Sequence, residues 1–480
     1  MVGGPVNRRR RAGARVKYAV PGIQFSSLWL NELGNRSPAF ASPEFAVDIP
    51  LRINNNQIKD NAASMPPNNF KSDESFLKKL AVGAAGTTAA MRRLSAMGFK
   101  PIELERGSSG FKIWKTIKIK RVRVPDILCL KSGWRFESRG KTKLEISMSH
   151  STSDPNRAWD AGMRADDFVV IVLCEQASDS PVDWQPASPL HFIRVDAMRD
   201  AYRNGAAKIT APKGVEEGSE IRVIWPSAAA NEPSVGSEVT AKGLRLSPVG
   251  GGKPQRCMLN RAIPLIPLCG VGDTVARNQI VGAVVPAVLS LSCPADVGEA
   301  FFTDKLSSAA LSERYAGAKA LRFRGFTSSA ADLRARLADD AEDIYVKLEA
   351  SAALAAHSFV EGWDYLELSL FSEFAQVQLE TIIVLSEIPG ARSQALLIGA
   401  LGDSSRHEEI RAGAAWALGE FHTDDAARAL ADTFDQRSLE MRIPRLSGHR
   451  FHGKLDTQSA GNWTLIPGQP GHLFQGKLDT

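Results

Sequence analysis

The stretch VPDILCLKSGWRFESRGKTK, which runs from Val124 to Lys143, contains the most chemically specific pattern in the 480-residue chain. A Pro-Asp pair stands at the head of an apolar run, and Glu137 follows Asp126 by eleven residues. The Lys-Ser-Gly between them suits a hairpin connection, so the spacing predicts two adjacent antiparallel strands that bring the two carboxylates together. Alternation of side chains along the second strand then places four charged residues on one face: Glu137, Arg139, Lys141 and Lys143.

Two carboxylates beside a cation indicate a particular chemistry. The carboxylates can hold Mg²⁺ or Mn²⁺, and the cation can orient water or stabilise developing charge, which is the minimum set of groups for phosphodiester hydrolysis. Asp126 and Glu137 are therefore the predicted metal ligands. The alternative interpretation is structural: Asp126 begins a strand, and the residues from Glu137 to Lys143 form a solvated edge of mixed charge.

The elements around this stretch come in a definite order. A helical segment (ESFLKKLAVGAAGTTAAMRRLSAMG) and a strand (KPIELER) precede a basic strand that ends in VPDILCL, and WRFESRGKTKLEISMS follows. Next come a helical segment, PNRAWDAGMR, and an apolar strand, DDFVVIVLC. This order and its acids resemble the PD-(D/E)XK nuclease superfamily over residues 74–174. The resemblance implies a restriction-endonuclease-like αβββαβ core, DNA as substrate, and metal binding by Asp126 and Glu137.

The chain departs from that pattern at one position. The superfamily places its catalytic Lys two residues after the acid, where this chain has Arg139, and Arg is permanently charged and cannot share a proton as Lys can. Lys141, on the same face, either takes that role or contacts a phosphate. The predicted catalytic residues are therefore Asp126, Glu137, Arg139 and Lys141. An additional acid is expected from the first helix or strand, with Glu74, Glu103 and Glu105 as candidates.

Basic residues are distributed unevenly along the chain. The net charge is +6, and the run from Arg8 to Arg11 forms an arm that either contacts DNA or serves as a solubilising tail. A second cluster leads directly into Asp126, and such clusters attract the phosphates of nucleic acids. The predicted nucleic-acid contacts are Lys112, Lys115, Lys118, Lys120, Arg121, Arg123 and Lys143.

A repeated pattern occupies the C-terminal part of the chain. VKLEASAALAA begins at Val346, VQLETIIVLSE at Val377 and IRAGAAWALGE at Ile410. Recurrence at this period predicts an α-solenoid over 310–440, with these three residues and Leu354, Leu385 and Leu418 inside. The copies resemble HEAT-like repeats of the type first known from phycobilisome lyases. That resemblance implies a curved surface for a protein or nucleic-acid partner and no catalytic residues.

The whole chain is predicted to be a multidomain protein that combines α/β, all-β and all-α parts. An irregular basic arm (1–70) precedes the nuclease-like domain (71–205), a small β-rich module (206–296), the repeats (310–440) and an irregular tail (441–480). Within the module, VGDTVARNQIVG resembles the turn and strand of small barrels with the pattern G-D-x-V-x-x-G-Q, and Asn278 replaces its second Gly.

Cysteine spacing and apolar runs exclude some classes of protein. The five cysteines form no CxxC pair, which favours reduced thiols in the cytoplasm and no zinc site. The longest apolar run, from Ile280 to Cys293, is shorter than the ~20 residues that a membrane span needs, so no membrane association is expected.

Three functions of different classes are consistent with these patterns. The first is a metal-dependent endonuclease whose repeats recognise a partner or a nucleic-acid structure, with prokaryotic defence suggested by the resemblance alone. The second is a catalytically inactive nuclease-like protein that binds nucleic acid, which Arg139 favours. The third is a protein-interaction scaffold in which the repeats carry the function.

Overall fold

The computed structural model describes residues 74–104, 117, 122–179, 183–211, 220–240 and 242–435. The basic arm, Glu105 and the tail lie outside these residues. So do five of the predicted nucleic-acid contacts: Lys112, Lys115, Lys118, Lys120 and Arg121.

The first part of the described chain is a mixed sheet with helices. Its elements in chain order are α1 (Glu74–Ala96), β1 (Pro101–Glu103), β2 (Ile127–Cys129), β3 (Arg135–Lys141), β4 (Ile146–Ser151), β5 (Phe168–Gln176), β6 (Trp184–Arg194) and α2 (Val195–Arg203). Five of the strands form one sheet in the order β1-β2-β3-β5-β6. Neighbouring strands are antiparallel except β3 and β5, which are parallel. The antiparallel hairpin predicted around Lys-Ser-Gly is confirmed.

Two predicted elements were wrong. WRFESRGKTKLEISMS is not one strand, because β3 ends at Lys141 and β4 joins a different sheet, so Lys143 lies in an exposed bend beyond the strand. PNRAWDAGMR forms only a 3-10 turn at Pro155–Arg157. The turn ends because Ala158 leaves the helical conformation, with φ −58° and ψ 147°. Further along, Gly162 has a φ of 77° and lies so close to the Arg123 carbonyl oxygen that a Cβ there would be 1.8 Å away.

Helix α1 covers one face of the sheet through a close backbone approach. Val82 and Leu94 of α1 share a core with Phe136 of β3 and Val170 of β5. Where α1 crosses β3, a Cβ on Gly140 would lie only 2.2 Å from the Val82 carbonyl oxygen. The absence of a side chain at this position therefore sets the distance between helix and sheet.

We expect Gly140→Ala to destabilise the protein by about 1–3 kcal/mol, because the added methyl must push α1 away from the sheet. Gly83→Ala on α1 is the matched control, since no atom lies within 4 Å of its Cβ position. This control should be neutral or stabilising, by up to about 1 kcal/mol, because Ala favours helix over Gly. Urea unfolding of both variants measures the difference, and equal effects would contradict the proposed close packing.

The predicted β-rich module is present as short strands. They are β7 (Lys208–Thr210), β8 (Glu220–Trp225), β9 (Ser227–Ala229), β10 (Ser234–Thr240), β11 (Gly243–Pro248), β12 (Gln255–Met258), β13 (Ile266–Pro267), β14 (Thr274–Val275) and β15 (Ile280–Ala283). They form sheets ordered β12-β11-β10-β14 and β13-β15-β9, while β4-β8-β7 joins the module to the preceding part. Asn278 has a φ of 63°, a conformation that Gly and Asn adopt more readily than other residues, which explains the exchange at this turn.

His191 connects β6 to the module. Its Nε2 accepts a hydrogen bond from the Ile280 backbone N–H at 2.9 Å, so the neutral ring carries its proton on Nδ1, which is buried without a hydrogen-bond partner. Burial lowers the pKa of His191 from its ordinary 6.5 to about 4. The unfolded chain therefore binds this proton more readily than the folded protein does.

Stability should consequently fall as the pH decreases from about 6.5 to about 4, and this residue should contribute about 3 kcal/mol to the loss. His191→Gln removes the titrating group while keeping an acceptor. Urea unfolding at pH 7 and pH 5 should show a smaller loss for the variant than for the wild-type protein. Parallel losses in the two proteins would show that His191 is not responsible.

The C-terminal part of the described chain is a stack of helices. They are α3 (Gly298–Lys305), α4 (Leu311–Arg324), α5 (Ala330–Ala338), α6 (Ile344–Ala356), α7 (Val360–Leu370), α8 (Ala375–Ser386), α9 (Ala391–Gly402), α10 (Glu408–Leu418) and α11 (Asp424–Asp435). Helices α6, α8 and α10 contact one another in succession, and the helices between them pack alongside. The six predicted interior residues are all buried, which confirms the repeat register: Val346, Leu354, Val377, Leu385, Ile410 and Leu418.

The helical stack and the first sheet share a core. Leu104, Leu128 and Leu130 from the β1–β2 side of the sheet pack among the helix residues. The Tyr315 hydroxyl of α4 donates to the Leu104 carbonyl at 3.2 Å, and the Ile117 N–H donates to a Glu409 carboxylate oxygen of α10 at 2.7 Å. Part of the surface of the repeats is thus covered by the chain's own sheet.

In the described ranges, every helix is too short or too polar to cross a membrane.

Candidate functional site

The strand register places the two predicted metal ligands opposite each other. Ile127 of β2 pairs with Phe136 of β3, and one residue further along each strand Asp126 faces Glu137. Ile127 and Phe136 point toward the α1 core, so by alternation Asp126 and Glu137 lie together on the other face of the sheet. This is the arrangement that their spacing predicts.

Both carboxylates are nearly removed from solvent, with 7% of Asp126 and 6% of Glu137 exposed. One oxygen of Asp126, Oδ2, accepts a hydrogen bond from the Ser138 N–H at 2.7 Å. This bond links the start of β2 to the middle of β3 and orients the carboxylate across the strand pair. Sequence reasoning missed it, because a backbone donor leaves no mark in the residue pattern.

Arg139 pairs directly with a predicted metal ligand. Its guanidinium forms an ion pair with Glu137, while its Nε lies 3.3 Å from the Met148 sulfur of β4. The pair holds Glu137 in place and offsets its negative charge. Arg139 is thus an electrostatic partner of the carboxylate rather than a group that could exchange protons.

Lys141 lies further along the same strand and is partly buried. Its Nζ donates to the Ser147 carbonyl at 2.7 Å and to the Ser147 hydroxyl at 3.1 Å. Burial, together with the charges of Arg139 and Arg222, lowers the pKa of Lys141 from 10.5 to about 7, although Glu145 opposes the shift. A neutral amine is therefore accessible to this residue near neutral pH.

A buried ion network lies on the same face, next to the carboxylate pair. Arg135, two residues before Glu137, binds Asp167 through Nε and Nη2, with a shortest distance of 2.6 Å. Its Nη1 lies 3.3 Å from Glu313 of α4, whose other oxygen lies 2.7 Å from Lys305. The network connects the strand that carries the site to the first repeat helices.

The candidate additional acids do not complete a larger cluster in the described part of the chain. Glu103 pairs in register with Ile127, so its side chain lies on the α1 face and not beside Asp126. No group of three or more His, Cys, Asp or Glu residues suited to a metal is found among the described residues. Two carboxylates are still a sufficient protein contribution for Mg²⁺, which commonly keeps several water ligands.

The two predicted nucleic-acid contacts that the structure describes lie at the periphery of the Asp126–Glu137 pair. Arg123 and Lys143 are both exposed, the former just before β2 and the latter just after β3. The three histidines of the repeat region lie singly, each at a helix end or in a turn. His357 and His407 cap α6 and α10, and His422 has a φ of 49° in the turn before α11.

With the geometry of the helical stack established, a family comparison identifies its class. Residues 365–443 match the family model for HEAT repeats. This result confirms the predicted repeat class for the C-terminal part, and HEAT repeats commonly mediate protein interactions. The match covers a minority of the chain and extends to no part of the sheet. A search among curated proteins found no match.

Proposed function

We propose that the protein is a metal-dependent nuclease that hydrolyses DNA phosphodiester bonds at the Asp126–Glu137 pair. The observation that carries this proposal is the opposed placement of two buried carboxylates on one face of adjacent antiparallel strands. Arg139 offsets the charge of Glu137, and a divalent cation held by both carboxylates would further reduce the cost of burying two anions together.

The sheet order supports the same proposal. Three antiparallel strands, β1-β2-β3, are followed by β5, which is parallel to β3. The order α1, β1, β2, β3 and β5 is compatible with the αβββαβ order that the resemblance to PD-(D/E)XK nucleases implies, but the connection from β3 to β5 contains β4 and a 3-10 turn in place of an α-helix. A different crossover changes the rim of the site but leaves the carboxylate-bearing strands adjacent.

The side chains at the site have different chemical roles in this proposal. Asp126 and Glu137 would hold Mg²⁺ or Mn²⁺, which when bound supplies Lewis-acid stabilisation of the phosphoryl oxygens. Arg139 pairs with Glu137 and holds it in position. Lys141 is the group on this face that can accept or hold a proton near neutral pH, so it is the better candidate for orienting and activating water.

Cleavage assays test the proposal directly. Purified full-length protein should cut plasmid or single-stranded DNA with Mg²⁺ or Mn²⁺ and lose that activity in EDTA. Activity that persists in EDTA would contradict a metal-dependent mechanism. Absence of cleavage on both substrates with either ion would favour the second candidate function.

Substitutions of Lys141 and of Arg139 should distinguish the roles of these two basic side chains. We expect Lys141→Met to reduce the cleavage rate by about 10²-fold, the usual effect of removing a positioned acid–base group. Arg139→Gln should instead raise the Mg²⁺ concentration that cleavage requires, because Glu137 would lose the ion pair that positions it. An unchanged rate in Lys141→Met together with an inactive Arg139→Gln would assign the catalytic role to Arg139.

The second candidate is a protein that binds nucleic acid or a protein partner without cleaving. Two observations favour it: Glu137 is already paired with Arg139, and HEAT repeats suggest an interaction or scaffold role. Gel shifts with DNA in EDTA at increasing salt concentration distinguish a protein that binds nucleic acid from one that binds a protein partner. Salt-sensitive DNA binding supports a nucleic-acid-binding protein, whereas no shift at any salt concentration supports a protein scaffold.

A further inference from the structure

A second site candidate lies where the β2–β3 turn meets the first repeat helices. An open cavity of about 570 Å³ is found there, within the size range of small-molecule sites. The sheet contributes Lys100 and Lys131, and the helical stack contributes Arg324, Phe326 and His357. Lys131 lies five residues along the chain from Asp126, so at the rise of a strand the cavity is ~15 Å from the carboxylate pair.

The two lysines add positive charge to the cavity. Neither ammonium is within ion-pair distance of a carboxylate in the part of the chain that the structure describes. Their backbones are fixed, because Leu130 N–H donates to the Lys100 carbonyl at 2.8 Å and Val297 N–H donates to the Lys131 carbonyl at 2.9 Å. Two lysine side chains thus extend from fixed backbone positions beside the same space.

The two acids that line the cavity are committed to other partners. Asp296 forms an ion pair with Arg324 at 2.8 Å and also accepts from the Gly298 N–H at 2.8 Å. Glu299 accepts hydrogen bonds from backbone and hydroxyl groups of residues 327–329. Burial raises the pKa of Glu299, but these hydrogen bonds outweigh it and hold the pKa far below its ordinary value. Lys131 also interacts electrostatically with Asp296, but the cavity lining still holds three cations, Lys100, Lys131 and Arg324, against two carboxylates.

The remaining wall combines a fixed cation with an aromatic surface. Arg324 is held by its Nη1 donating to the Leu130 carbonyl at 2.9 Å, in addition to its pair with Asp296. The Phe326 and His357 rings pack together with centroids 4.4 Å apart. A ligand with an anionic end and a planar or apolar end matches this combination.

We propose that this cavity binds a phosphate group carried by a nucleotide or by a nucleic-acid strand, with Lys100 and Lys131 as its principal contacts. The Phe326–His357 ring pair provides the surface for the attached base or sugar. Binding here requires neither a metal nor the Asp126–Glu137 pair, so the proposal stands apart from hydrolysis at that pair.

The test uses the full-length protein in EDTA. Calorimetric titration with pyrophosphate and ADP measures the binding of a free phosphate ligand. Fluorescence anisotropy of a single-stranded oligonucleotide, with and without a 5′-phosphate, measures the binding of a nucleic-acid strand. Lys100→Glu and Lys131→Glu should each weaken binding at least about tenfold, since each removes a charge-assisted contact and adds repulsion. Lys253→Glu, an exposed lysine in the β11–β12 connection, is the matched control with the same charge change.

The outcomes separate clearly. Binding of ADP or pyrophosphate that is lost in the two pocket variants and kept in Lys253→Glu supports the site with a free nucleotide as ligand. The same pattern with the oligonucleotide alone supports it with a nucleic-acid strand as ligand. No binding by the wild-type protein, or equal losses in the pocket variants and the control, overturns it. Asp126→Asn should bind the same ligands as the wild-type protein, which would show that binding at the cavity does not depend on the Asp126–Glu137 pair.

Discussion

Asp126→Asn should abolish DNA cleavage while leaving DNA binding unchanged or somewhat tighter. The substitution removes a metal ligand, and the metal contributes several kcal/mol of transition-state stabilisation, so the rate should fall at least about 10²-fold. Removal of a negative charge beside the phosphate path favours binding of the DNA backbone. Asn retains an oxygen that can accept from the Ser138 N–H, so the strand pair should remain intact.

The measurement combines cleavage in Mg²⁺ with gel shifts in EDTA on the same preparations. Asp196→Asn is the control, because it makes the same chemical change at a half-exposed residue of α2. Equal cleavage by Asp126→Asn and the wild-type protein would mean that the activity belongs to a contaminant or to another site. Loss of both cleavage and folding would be detected by circular dichroism before any conclusion about the metal is drawn.

Asp167→Ala should produce the largest loss of stability, about 3–5 kcal/mol, because it leaves the guanidinium of Arg135 buried without its main partner. The Asp167 carboxylate accepts from Arg135 and also from the Arg164 N–H at 2.6 Å, and both Asp167 and Arg135 are nearly excluded from solvent. Two weaker partners of Arg135 would remain: the Gly162 carbonyl, which accepts from Nη2 at 3.1 Å, and Glu313, which lies 3.3 Å from Nη1 and is shared with Lys305.

The exposed pair Arg194–Asp196 offers a matched comparison. It has the same two residue types and a similar 2.6 Å contact, but both side chains are more than one third exposed. Asp196→Ala should therefore cost no more than about 1 kcal/mol. Urea unfolding of the two variants should show a difference of at least about 2 kcal/mol between buried and exposed pairs. Similar costs would indicate that Arg135 reaches water once Asp167 is removed.

Features that depend on local pattern could be predicted from the sequence. The hairpin between β2 and β3 follows from Lys-Ser-Gly and the flanking apolar residues, and the repeat interior follows from the common offset of Leu354, Leu385 and Leu418. In both cases neighbouring residues carry the signal, and the fold agrees with it.

Features that depend on contacts between distant parts of the chain could not be predicted from the sequence. The close approach of Gly162 to the carbonyl of Arg123 joins two separate parts of the chain, and no local pattern marks it. The departure of β4 to pair with β8 joins residues that are 69 (Ser151 and Glu220) to 79 (Ile146 and Trp225) positions apart. Arg135 could have been noticed, since a cation within an apolar strand requires a buried acid, and the Asp pair before β5 supplies one.

The shared core between the sheet and the helical stack has a practical consequence for protein engineering. Leu104, Leu128 and Leu130 contact helix residues, so deletion of the stack would expose an apolar stripe along the strands. Exposed stripes of this kind promote aggregation. The repeats therefore cannot be transplanted as an independent cassette, and truncated fragments of this chain will require a substitute surface to remain folded.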